Sequence, residues 1–161
     1  MEPRQLLAVD LMPIEVGMVY LEDGKSDDLF PDRFEITFSG GAPGSQLTEL
    51  ILQLDKNSNG RRDDGECFFD IRAGGDGVYG HDELAIVEQN GFEILGIWVE
   101  DGGDTLRMTF SGFEAGERLV FSIDVDEQGF LNANAVAEGA ELEGSRMVAT
   151  FVAPHHEDIT G

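Results

Sequence analysis

LTELILQLDKNSNGRRDDGE, residues 47–66, sets two folds against each other. Leu47, Leu50, Ile51 and Leu54 recur at helical spacing, and a helix here would open a helix-loop-helix calcium hand. Leu50, Leu52 and Leu54 also alternate, which is the signature of a strand with one buried face. The apolar part spans only residues 47–54, short for a helix, and the surrounding chain offers flat β partners. The strand reading is therefore preferred.

Those partners are visible on both sides. FEITFS (34–39) alternates Phe34, Ile36 and Phe38 with polar residues, and TLRMTFSGF (105–113) does the same with Leu106, Met108 and Phe110. RLVFSIDVD (118–126) places Leu119, Phe121, Ile123 and Val125 on one face. Similar runs occur at 17–22, 83–88, 92–100 and 146–152, separated by glycine-rich turns. Roughly nine short strands, each with one apolar face to cover, predict an all-β, antiparallel β-sandwich of Greek-key or jelly-roll type. No linker divides residues 1–161, so a single domain is expected.

The polar half of the opening stretch carries the chemistry. Calcium takes about six to eight oxygen ligands, and an EF-type loop supplies them from positions one, three, five, seven, nine and twelve. Asp55, Asn57 and Asn59 fill the first three, Gly60 stands sixth where the backbone turns sharply, and Arg61 offers its carbonyl at seven. Asp63 is ninth, and Glu66 is twelfth, where a bidentate carboxylate is wanted. Asn at the third and fifth positions limits the carboxylate repulsion of an all-Asp loop. Position eight is Arg62 rather than an aliphatic residue, and the exit CFFDIRAGGDG is too rich in β-formers and glycine for a helix. The expectation is an EF-like calcium loop set between strands. A polar hairpin loop rich in Asn and Gly is the plainer alternative.

Composition narrows the partners. Two Lys and eight Arg against 33 acidic residues leave a net charge of −23, which repels phosphate backbones and anionic membranes. Neither nucleic acid nor membrane insertion is expected, and MEPRQLLAVDLM reads neither as a signal peptide nor as a membrane span. The chain is then either cytosolic or a piece of a longer exported protein. Cys67 is the one cysteine, so no internal disulfide forms, and its place in CFF suits a small buried side chain.

Three stretches, FSGGAPGSQLTELILQLDKNSNGRRDDGECFFD, VEDGGDTLRMTFSGFEAGERLVFSIDVDE and GAELEGSRMVATFVAPHH, together resemble an accessory module of very large bacterial surface proteins. That module recurs beside SdrD B-like, cadherin-like, malectin-like or dockerin-like domains. The resemblance covers residues 16–156 and runs through Gly41, Pro43, Gly44, Asp55 to Glu66 and Asp124 to Glu127. It implies an extracellular or cell-surface, non-enzymatic β-domain with a calcium-type loop, excised here from a longer chain, and it implies no particular ligand.

Other candidates are weaker. Asp124 and Asp126, with Glu127 beyond them, form a possible second cation site but read more simply as a solvated acidic face. GGDGVYGHDEL (74–84) has one copy of a Gly-Asp calcium motif that needs stacked repeats, although Asp76 or Asp82 could cap the first site. VEDGGDT (99–105) reads as a hairpin turn with Asp101 and Asp104 as turn formers. His155 and His156 point apart on an extended chain, and His81 beside Asp82 lacks a nucleophile. Three functions remain: a calcium-stabilised structural or adhesive module contacting neighbouring modules, a calcium-dependent carbohydrate-binding module that recognises a surface glycan, and a hydrolase with an unrecognised site. Sugar binding favours exposed aromatic rings. Trp98 sits in an apolar strand that suggests the core, and its exposure would move carbohydrate recognition to first place.

Overall fold

The computed structural model describes residues 12–21, 32–75, 77, 80–129, 135–136, 139–154 and 159–160. Every regular element among them is a strand: β1 Met12–Leu21, β2 Asp32–Gly41, β3 Gln46–Gln53, β4 Cys67–Phe69, β5 Ala85–Gln89, β6 Glu93–Val99, β7 Thr105–Glu114, β8 Arg118–Ile123, β9 Val125–Glu127, β10 Ala135–Val136, β11 Arg146–Val152 and β12 Ile159–Thr160. There are more strands than alternation predicts because β4, β9, β10 and β12 are two or three residues long, too short to show a period. No helix among the described residues is long and apolar enough to cross a membrane.

The strands pair antiparallel in the orders β1-β2-β8-β5, β12-β11-β3-β7-β6 and β10-β9-β4. The opening stretch is settled by β3, which lies between β11 and β7 with Leu50 opposite Met108 and Leu52 opposite Leu106. A helix could not offer hydrogen bonds to both neighbours.

The two larger sheets share one core, in a sandwich-like arrangement. Phe34, Ile36, Phe38, Leu119, Phe121 and Ile123 come from the four-stranded sheet, and Leu50, Leu52, Leu106, Met108 and Phe110 from the five-stranded one; all are buried. Phe38 joins the layers by meeting Phe151 at 5.1 Å and Phe113 at 5.8 Å between ring centroids. Burying side chains of this size stabilises by about 1.5–3 kcal/mol each, so this layer is the main source of stability. Cys67 is fully buried, and burial pushes its thiol up to about 12, which makes it inert.

Two burial expectations are overturned. Asp124 and Asp126, expected on a solvated acidic face, are buried, as are Val120 and Ser122 on the same side of the chain. Asp70 and Asp82 explain the Asp124 end of β8: Asp124 N–H donates to Asp82 O, and Asp82 N–H donates to Asp70 O. Trp98, expected in the core, is 51 % exposed on β6, the edge strand of the five-stranded sheet.

Candidate functional site

Residues 55–66 leave the end of β3 and return into β4, so the loop is set between strands. Its side-chain oxygens wind the backbone. Asp55 Oδ2 accepts the Gly60 N–H at 2.8 Å and Oδ1 accepts the Asn59 N–H at 3.3 Å. Asn57 Oδ1 accepts from Asn59 N–H at 3.1 Å, and Asn59 Oδ1 accepts from Arg61 N–H at 2.7 Å. Gly60 lies at φ +70°, the left-handed conformation its position needs. Asp55 is held below the usual carboxylate range, chiefly by the Gly60 N–H.

The far end of the loop closes through Glu66. Its Oε1 accepts the Lys56 N–H at 3.1 Å and its Oε2 the Asp63 N–H at 2.8 Å, with the side chain almost fully buried. Asn57 and Asn59 both donate their amide N–H groups to Asp63 Oδ2, at 3.0 and 2.7 Å. The third, fifth and ninth loop positions therefore meet at one oxygen, while the first and twelfth tie down the backbone. For Arg61 the settled contact is its N–H to Asn59. Among the described residues no group of three or more His, Cys, Asp or Glu stands ready to hold a metal ion. The donor set still suits a hard cation: three carboxylates, two amide oxygens and a backbone carbonyl, with no nitrogen or sulfur ligand.

The loop is anchored to the turn between β6 and β7. Leu54 N–H donates to Asp104 O at 2.8 Å, while Phe69 and the 102–103 backbone exchange hydrogen bonds at 2.8 and 2.9 Å. Arg62 lays its guanidinium 4.0 Å from the Phe68 ring centroid and reaches Gly102 O at 3.4 Å. This explains why an arginine suits position eight: it fastens the loop to the neighbouring turn. VEDGGDT is indeed that turn, with Asp101 Oδ1 accepting the Ile71 N–H and Asp104 Oδ1 the Thr105 hydroxyl.

Asp124 and Asp126 belong to a buried acidic region that includes Asp70, which sequence reasoning missed because it follows the CFF run like an ordinary turn residue. A Cβ at Gly77 would overlap both Asp70 Oδ2 and Asp126 Oδ2, and one at Gly75 would overlap Asp101 Oδ2. Glycine at these two positions lets the backbone cross close to the carboxylates without displacing them. Burial pushes the Asp70 carboxyl up, and the nearby Asp101 carboxylate adds to the rise against the opposing Arg72 N–H. Asp82 lies beside Asp70 and Asp124 through its backbone. His81 is exposed. Asp76, His155 and His156 fall outside the described residues.

The outer face of the five-stranded sheet presents a different chemistry. Strand pairing places Trp98, Arg107, Ile51 and Val148 in one row across four strands. The adjoining row holds Gly96, Thr109, Glu49 and Thr150. The Trp98 six-membered ring lies over Gly96, where any Cβ would collide with it, so the indole is folded down along its own strand. Arg107 lies over the Trp98 ring, 4.8 Å from its centroid, and is ion-paired with Glu49. A bulge between Ile94 and Gly96 turns out Leu95, which is 63 % exposed. The signal for this face was in the sequence: the Gly two residues before Trp98 leaves room for the tip of its ring. Comparison with protein-family models, curated proteins and solved structures finds no match to this chain.

Proposed function

We propose that the chain is a non-enzymatic, calcium-binding module of an exported bacterial surface protein that binds carbohydrate, with calcium in a supporting role. The observation that carries the carbohydrate reading is Trp98, 51 % exposed on the outer sheet face with its ring tip seated against Gly96. With that indole open, glycan recognition moves ahead of a purely structural or adhesive role.

The loop at 55–66 supports the calcium half. Asp55, Asn57, Asn59, Asp63 and Glu66 would chelate through side chains and Arg61 through its carbonyl, and the ion would relieve repulsion among three carboxylates. The Arg62–Gly102 and Leu54–Asp104 hydrogen bonds then make the filled loop a brace for the β6–β7 turn. Export and neighbouring modules rest on the resemblance over residues 16–156. The strand orders, with β8 between β2 and β5 and β7 between β3 and β6, support Greek-key connectivity.

Calorimetric titration of the metal-free protein tests the calcium half. Wild type binds one calcium at the loop, and Asp55→Ala with Glu66→Ala removes that binding. Undiminished binding in the double variant would sink the assignment.

A further inference from the structure

Carbohydrate binding by this module leaves open where the glycan lies and what class it belongs to. Resting on that reading, we infer that the outer face of the five-stranded sheet, at Trp98, Arg107 and Glu49, is the binding site and that it takes a neutral hexopyranose glycan.

The indole supplies the platform. One face of a pyranose is a patch of C–H groups carrying slight positive charge, and the π face of an indole carries slight negative charge, so the two stack. Trp98 is half exposed, with its ring tip seated against Gly96 and Arg107 over the ring, so little side-chain freedom is left to lose when a ligand arrives. Arg107 and Glu49 supply orientation. They occupy the adjacent strands, their pairing fixes both planar groups, and each has further donor or acceptor capacity for vicinal hydroxyls. Thr109 lies in the same row as Glu49 and adds a hydroxyl.

Charge selects the neutral class. The chain carries −23, so sulfated or uronic-acid polymers are repelled by the molecule as a whole. On this face Arg107 is matched by Glu49, so no excess positive charge remains there to overcome the repulsion. The open sheet surface also suits a chain of sugars lying across it better than a single enclosed monosaccharide.

Trp98 is the one tryptophan of the protein, so its fluorescence reports on this face alone. The test titrates the full chain, in calcium, with soluble oligosaccharides of β-glucan, mannan and galactan, and with hyaluronan as the anionic control. Native affinity gels containing the same polysaccharides run alongside. A neutral glycan should shift Trp98 emission to shorter wavelength, protect it from acrylamide quenching and retard the protein, while hyaluronan does none of these. Trp98→Ala and Arg107→Ala should each weaken retardation by about tenfold or more, and Trp98→Phe should restore part of it. Retardation by a neutral glycan with unchanged fluorescence and full binding by Trp98→Ala would overturn this face and leave the carbohydrate reading standing. Binding to hyaluronan alone overturns the neutral class. No retardation by any polysaccharide overturns the carbohydrate reading and this site together.

Discussion

Asp55 Oδ2 accepts the Gly60 backbone N–H at 2.8 Å, tying the first position of the acidic loop to its sixth. The bond needs Gly60 at φ +70°, where a side chain strains the backbone although no atom lies within 4 Å of a built Cβ. Gly60→Ala should therefore destabilise by about 1–2 kcal/mol, through conformation and not collision, as read from urea unfolding. An unchanged midpoint would show that the loop does not depend on this turn.

Calcium should act on stability before it acts on anything else. A ligand at one hundred times its dissociation constant adds about 2.7 kcal/mol when it binds only the folded state. Thermal melts in calcium and in chelator should separate accordingly, and the double loop variant should lose the separation.

The core and the outer face should respond in opposite ways. Phe121 is fully buried and stacks on Phe34 at 5.1 Å between centroids, so Phe121→Ala should cost about 3–5 kcal/mol. Trp98→Ala, on the open face, should cost less than about 1.5 kcal/mol in urea unfolding. A comparable loss from both would mean that Trp98 is a packing residue after all.

Asp70 makes stability depend on pH in a stated direction. Its carboxyl is raised above the ordinary 3.8, so the folded protein holds the proton more tightly than the unfolded chain. Its contribution favours folding below that value and is lost as pH climbs through the raised native value. In chelator, Asp70→Asn should raise the melting midpoint near neutral pH, and the gap from wild type should shrink in acid. The amide oxygen can still accept the Arg72 N–H, so packing is kept. A gap that widens in acid would contradict the direction.

The alternation of Phe34, Ile36 and Phe38 and of Leu106, Met108 and Phe110 was enough to read β2 and β7, since period two and a shared core follow from the same side chains. The ambiguous 47–54 segment resolved as a strand because Leu50 and Leu52 have partners on β7. Asp124 and Asp126 misled because their cover comes from Asp70, Gly77 and Asp82, distant in sequence and brought in by contacts that composition does not encode. Trp98 misled for the opposite reason. Apolar runs signal burial on average, but an edge strand with a bulge turns such residues outward.

The most direct measurement of calcium binding is the coordination shell of residues 55–66 in crystals grown with calcium. One ion should be bound by the Asp55, Asn57, Asn59, Asp63 and Glu66 side chains and the Arg61 carbonyl, with oxygens at about 2.3–2.6 Å and at least about six of them. A loop that keeps the Asn57–Asp63 and Asn59–Asp63 hydrogen bonds in saturating calcium, with no ion between them, would contradict it.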